Sequence, residues 1–140
     1  MSHADGGARR LSNRILSLLS PEEYGRLAPH FQYVELSPGD VLYRPEDPIP
    51  HVFFPLSGMV SVTAPMRDGK EVEVGAVGRE GVAGLPVFLG TESAPFRAAV
   101  RVSGSAVRVT AGAFREESGR RGELHRLLLR HAQAFFVRAA

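Results

Sequence analysis

The sequence predicts a mainly β protein, an antiparallel sandwich or barrel preceded by short helices and followed by one amphipathic helix. Three observations support this prediction. Between residues 31 and 109, β-branched and aromatic runs recur at intervals of roughly ten residues, separated by Gly, Pro and Asp. The Asp68-Gly69 pair is typical of a tight hairpin. Near the C-terminus, apolar residues recur at three- and four-residue steps, as on one face of a helix.

Composition narrows the class of protein. The chain has 140 residues, which is the size of one domain, and no Cys, which excludes disulfides, thiol nucleophiles and cysteine-ligated metals. No apolar run reaches the length of about 18 residues that a membrane span needs, so we expect a cytoplasmic protein with no membrane partner. The net charge is only +2, and the Arg residues are scattered, which favours solvated, salt-bridged surfaces over a DNA-binding face.

Two short helices are predicted first. Residues 1–10 are small and polar, and we expect a flexible N-terminus there. The apolar stretch 15–19 predicts one helical segment. Ser20, Pro21 and Glu23 then form a capping-box pattern that predicts a second helix from Pro21 to about Ala28, ending before Pro29.

Short strands follow, at residues 31–36, 41–43, 51–54, 59–64, 71–74, 98–102 and 106–109. Pro38 and Gly39 suit a tight turn, and three prolines in 45–50 exclude a central strand there. Gly58 predicts a bulge or a sharp bend. The alternation in 71–74 predicts a strand with one buried and one wet face.

Two further segments interrupt or end this pattern. Residues 78–90 contain four glycines, too many for regular sheet, and predict a loop or a short helical turn. Thr110 can cap a short helix that contains Phe114. After a polar link at 118–122, a final helix begins near Glu123, and its apolar stripe consists of Leu124, Leu127, Leu128, His131, Phe135 and Ala139.

The order of these elements resembles the cyclic-nucleotide-binding domain, specifically the sensor half of bacterial regulators of the Crp/Fnr family. The resemblance covers residues 15–140 and is carried by Ser37-Pro38-Gly39-Asp40-Val41-Leu42-Tyr43, by residues 51–62, by Asp68-Gly69, and by Val77-Gly78-Arg79-Glu80-Gly81-Val82-Ala83-Gly84-Leu85. It implies an eight-stranded antiparallel β-roll, or jelly roll, over residues 11–117 with flanking helices. It also implies that residues 118–140 are a linker and part of a dimerisation helix.

The resemblance places a phosphate-binding cassette at the glycine-rich loop. In the family, backbone N–H groups and an Arg hold the cyclic phosphate, and a Glu accepts a hydrogen bond from the ribose. Alignment on Val100-Arg101-Val102 puts Phe96 at the Arg position, and counting from Gly78 puts Ala83 at the Glu position. We therefore expect no usual binding of cAMP. Two interpretations stay open: an apolar remnant of the cassette, or a site for a cyclic nucleotide or another small anionic effector, with candidate residues Glu80, Gly81, Val82, Ala83, Gly84, Leu85, Phe96, Arg97 and Ala98.

The final helix implies a partner. By the same resemblance it pairs with a second copy, and the expected homodimer interface consists of Leu124, Leu127, Leu128, His131 and Phe135. The implied function is the effector-sensing and dimerisation domain of a transcription regulator, with DNA contacted only through a module absent from these residues. The alternative is a free-standing domain that binds a small ligand or a protein without a DNA role. No catalytic or metal-site motif occurs, so we do not expect an enzyme.

Overall fold

The computed structural model describes residues 12–139, and in it seven strands form two antiparallel sheets. The three-stranded sheet has the order β1-β7-β3, and the four-stranded sheet has the order β2-β6-β4-β5. The strands are β1 (Gln32–Leu36), β2 (Val41–Tyr43), β3 (His51–Pro55), β4 (Met59–Pro65), β5 (Glu71–Val77), β6 (Arg97–Val102) and β7 (Gly104–Thr110). The predicted antiparallel β-roll is confirmed, while the predicted flexible segment 1–10 lies outside the described residues.

The described residues contain seven strands rather than the eight that the resemblance implied. In the glycine-rich loop, Ala83 forms a single bridge to Phe53, with N–H to O distances of 2.9 and 2.8 Å in the two directions. Pairing stops there because Gly84 has a φ of 124°, a conformation that an extended strand does not use. The bridge therefore does not grow into a strand.

Five α-helices flank the sheets in the part of the chain that the structure describes, and their positions agree with the sequence prediction. They are α1 (Arg14–Ser17), α2 (Pro21–Leu27), α3 (Leu85–Phe88), α4 (Ala111–Ser118) and α5 (Glu123–Ala139), with a 3-10 turn at Ala28–His30. Ser20 and Thr110 accept N-terminal N–H groups of α2 and α4, as their sequence patterns predict. Within residues 12–139 no helix combines the length and apolarity needed to cross a membrane.

Glycine conformation allows the chain to change sheets. Gly58 lies between β3 of one sheet and β4 of the other, with a φ of 82°. A Cβ at Gly58 would lie 2.6 Å from the carbonyl oxygen of Val102, so glycine is needed there for space as well as for conformation. The predicted bend at Gly58 is confirmed.

The β4–β5 hairpin differs from the expectation. The alternation in 71–74 predicted one buried face, but Val72 is 49% exposed, and β5 reaches the core only near Val77. β5 is an edge strand, and the residues of β4 beside the hairpin, from Thr63 onward, are not buried either. A two-residue alternation indicates that one face is apolar, but it cannot indicate how far the opposing layer extends.

Helices and sheets share one apolar core. The rings of Phe54 in β3 and Phe114 in α4 are fully buried, with centroids 6.2 Å apart. Leu16 of α1, Leu27 of α2 and Leu128 of α5 join the same cluster. The flanking helices are therefore attached by burial of apolar surface, which contributes about 25 cal/mol per Å² removed from water.

Candidate functional site

An apolar cavity of about 220 Å³ lies beneath the glycine-rich loop. The four-stranded sheet supplies Tyr43, Val62 and Val77 to its wall, the loop supplies residues between 82 and 96, and α5 supplies Phe135. Among the lining residues, only Tyr43, Thr91 and Ser93 carry a polar side-chain atom, and none of the lining residues is charged. The lining of the cavity therefore suits an apolar ligand.

The glycine-rich loop contributes few free donors to this cavity. The N–H of Gly81 donates to the carbonyl of Gly78 at 3.2 Å, and the N–H of Ala83 donates to Phe53. The N–H of Val82 donates to Nε2 of His131 at 3.3 Å. Helix α3 has only four residues, with a proline in its first turn. The N–H groups of residues 81–83 are therefore already hydrogen-bonded within the protein.

Five of the nine sequence-predicted ligand residues line the cavity: Val82, Ala83, Gly84, Leu85 and Phe96. Glu80, Gly81, Arg97 and Ala98 do not, which corrects that expectation. Because successive residues of an extended segment point to opposite sides, Phe96 faces the cavity while Arg97 turns away. Arg97 instead lies 3.7 Å from Glu71 across the sheet. The carboxylate of Glu80 accepts the N–H of Gly78 at 3.1 Å.

These residues do not fit a cyclic nucleotide held in the family's usual way. The cavity offers no cation to pair with a phosphate and no carboxylate to accept a ribose hydroxyl. Burial of an unpaired charge costs several kcal/mol, which the remaining hydroxyl groups cannot offset. Burial also raises the pKa of Tyr43 to about 12, so its phenol stays neutral and keeps its proton.

The predicted dimer residues on α5 face the chain's own domain. Leu124 and Leu128 are fully buried, and Leu127 and His131 are less than 10% exposed. These side chains are covered by β5 and by the chain's own helices α1, α3 and α4, so they cannot also form a seam with a second copy in this conformation. The set of interface residues is corrected accordingly, while dimerisation itself stays a prediction.

Two glycines make room for α5 beside the site: Gly75, which the sequence did not single out, and Gly81, for which the sequence predicted a ligand-binding role instead. A Cβ on Gly75 would lie 2.5 Å from the ring of Phe135, and a Cβ on Gly81 would lie 2.6 Å from Nδ1 of His131. Only glycine leaves room for these rings at the present helix position. A signal was available for Gly75, since a glycine inside a strand often marks a close approach of another element.

Two buried polar side chains connect distant elements near the loop. The amide of Asn13, fully buried, donates to the carbonyls of Pro55 at 2.8 Å and Gly81 at 3.1 Å. The carboxylate of Glu23 accepts the N–H groups of Glu123 at 3.2 Å and Leu124 at 3.0 Å, which caps the N-terminus of α5. The loop is therefore held between α1 and α5.

Solved structures share this fold at low sequence identity. The sensor domain of the transcriptional regulator DNR from Pseudomonas aeruginosa is 20% identical, with a TM-score of 0.73, over 96% of this chain and 91% of that one. The regulatory subunit of a cAMP-independent protein kinase A from Trypanosoma cruzi, bound to guanosine, is 20% identical, with a TM-score of 0.75, over 92% of this chain and 48% of that one. The catabolite activator protein of Thermus thermophilus is 16% identical, with a TM-score of 0.69, over 87% of this chain and 57% of that one.

The chain thus spans about half the length of the kinase subunit and the catabolite activator. No protein with a curated function matches the sequence. Residues 33–120, which extend from β1 to just beyond α4, match the family model of the cyclic nucleotide-binding domain. Since this match covers more than half of the chain and the strands form the same β-roll, the chain belongs to the cyclic nucleotide-binding domain family.

Proposed function

We propose that this chain is the effector-sensing domain of a Crp/Fnr-type transcription regulator and that it senses its effector in the cavity beneath the glycine-rich loop. One observation carries the proposal: Phe135 of α5 is a wall of the cavity and also packs on Gly75 of β5. Any molecule that displaces this ring must also move the helix. The likeness to the DNR sensor domain, which extends over nearly all of both chains, supports the assignment.

The signal would travel along α5. His131 packs on Gly81 and bonds Val82, so the helix contacts the loop one turn before Phe135. Effector binding favours the position of α5 that leaves more room at Phe135. The free energy of this shift equals the difference between the binding free energies of the effector for the two helix positions. DNA would be contacted by a module outside these residues, and a regulator of this kind would act in the cytoplasm.

We propose that dimerisation uses the outer face of α5. Leu129 is 46% exposed and Val137 is 76% exposed on the side of the helix away from the β-roll. If a second copy covers this face, any shift of α5 changes the contacts between the two copies. The alternative function is a free-standing domain that binds a small ligand or a protein without a DNA role, and it needs no such contact.

A light-scattering measurement of mass separates these two functions. For the regulator we expect a dimer that Leu129→Glu converts to a monomer, because an introduced charge cannot be buried in an apolar seam. Val102→Glu is the matched control, since Val102 is 50% exposed on β6, and this variant should remain dimeric. A wild-type chain that is monomeric at millimolar concentration would favour the free-standing domain.

Coupling between cavity and helix is tested with a spin label. The chain has no native Cys, so Gln133→Cys on α5 can be labelled at one position, with Glu35→Cys on β1 as the remote control. Filling the cavity with the larger side chain of Ala83→Leu should change the mobility of the label at 133 and not at 35. An unchanged spectrum at both positions would contradict sensing through α5.

A further inference from the structure

We infer that the cavity takes a neutral, largely apolar molecule of one or two fused rings, and not a nucleotide. The inference rests on the proposed function, because it names the class of effector for the same site. It departs from the ligand for which the family is named, and it is drawn from the charge, size and hydrogen-bonding groups of the cavity.

Charge excludes an anionic effector. No charged residue lines the cavity, and Arg97, the cation that the sequence suggested for this site, lies beside Glu71 instead. The N–H groups of residues 81–83 donate to protein acceptors. At the N-terminus of α3, only the N–H groups of Gly84 and Leu85 remain to receive an anion. An anion would therefore lose its hydration without gaining a cationic partner, whereas a neutral molecule has no such cost.

Size limits the effector to a small ring system. An engineered apolar cavity of about 150 Å³ binds benzene, so a cavity of about 220 Å³ can hold a somewhat larger ring system. Leu89 at the rim is 50% exposed, which gives the cavity an apolar mouth on the side of the loop. A ligand that reaches the cavity is therefore in contact with apolar groups along its path.

The hydroxyl groups of Tyr43 and Ser93 are available to orient the ligand, and that of Tyr43 is the more deeply buried. Thr91 donates its hydroxyl to the carbonyl of Pro86 at 3.1 Å. Tyr43 is 6% exposed, and among the described residues its hydroxyl has no hydrogen-bond partner. A neutral phenol can donate or accept one hydrogen bond, which suits a ligand with a single polar atom. A nucleoside such as guanosine would leave most of its polar groups unsatisfied in this cavity.

Calorimetry with four probes tests the inference on the full chain. Indole and indene are neutral bicyclic molecules of the same shape, of which only indole carries an N–H, while cAMP and guanosine represent nucleotide and nucleoside. We expect saturable binding of indole, at least tenfold tighter than that of cAMP or guanosine. Ala83→Leu, which fills the cavity, should abolish indole binding.

Two variants locate the binding. Tyr43→Phe keeps the ring and should weaken indole about three- to tenfold, the loss expected for one hydrogen bond, while leaving indene unchanged. Arg97→Gln should leave indole unchanged, because Arg97 lies outside the cavity. A thermal melt by circular dichroism confirms that each variant is folded.

The outcomes separate this inference from the proposed function. Binding of cAMP or guanosine more tightly than indole, or no saturable binding of indole, overturns the inference and leaves sensing through α5 intact. Loss of cAMP binding in Arg97→Gln would overturn it in the same way. Indole binding that does not alter the spin label at position 133 would contradict the proposed function and leave the class of ligand intact.

Discussion

Replacing Gly81 by alanine tests the seat of α5 on the glycine-rich loop. The added methyl group would meet the imidazole of His131, with 2.6 Å to each ring nitrogen. Gly81 is outside the left-handed region, so the backbone accepts alanine and the strain comes from this contact alone. His131 is 8% exposed, but its side chain also borders a pocket lined by Leu18 and Glu80, so its ring must rotate toward that pocket or α5 must move.

The expected cost has two parts. Inserting a methyl group into a well-packed site costs about 1–3 kcal/mol. Displacement of the imidazole also breaks the 3.3 Å hydrogen bond from the N–H of Val82, which contributes about 1 kcal/mol. We therefore expect Gly81→Ala to lower the free energy of unfolding by about 2–4 kcal/mol. With a denaturant slope of about 2 kcal/mol/M, the urea midpoint falls by about 1–2 M.

Urea unfolding followed by circular dichroism measures this change. Gly112→Ala is the matched control, because a Cβ on Gly112 in α4 meets nothing within 4 Å, and helix propensity should raise stability by about 0.5–1 kcal/mol. In a His131→Ala background the contact is gone, and Gly81→Ala should cost less than about 1 kcal/mol. The packing of α5 on the loop would be refuted if Gly81→Ala lowered the free energy of unfolding equally with and without the imidazole, or did not lower it in the wild type.

Two polar groups give further expected outcomes. Glu23→Ala should lower the free energy of unfolding by about 1–2 kcal/mol, because it removes the cap of α5. Glu22 is exposed, and Glu22→Ala should change the free energy of unfolding by no more than about 0.5 kcal/mol. Equal urea midpoints for the two variants would count against the cap. Burial and, to a lesser extent, Arg108 lower the pKa of His51, so the unfolded chain takes up its proton first as the pH falls. The stability linked to His51 is therefore present above its ordinary pKa of about 6.5 and is lost as the pH falls through the lower folded value. His51→Gln should unfold with a weaker dependence on pH between about 7.5 and 5.5, and an identical pH dependence in both proteins would contradict this.

Much of the fold could be predicted because its signals are local. Ser20 and Thr110 act as helix caps within three residues of their partners, and Gly58 bends the chain through its own φ. The dense glycines of the loop were correctly interpreted as a break in the sheet, and they do precede a short helical turn. In each case the chemistry of one residue and its near neighbours decides the conformation.

The candidate site was predicted only in part. Val82, Ala83, Gly84, Leu85 and Phe96 line the cavity because the loop itself forms the cavity wall, and their binding of a ligand stays a prediction. The partner of Arg97 could not be predicted, because it depends on which strand lies beside β6 and in what register. The second role of Glu23 could not be predicted either, because its carboxylate caps a helix that begins 100 residues later in the chain.

Local sequence patterns predict the alternation of strands and turns, the helix ends, and the apolar stripe on the last helix. What covers that stripe depends on how the folded chain packs. Periodicity indicates that one side of α5 is apolar, but the same stripe can be buried against a second copy or against the chain's own β-roll. The close fit of His131 on Gly81 and of Phe135 on Gly75 decides for the β-roll, because those contacts join residues that are distant in sequence and depend on packing.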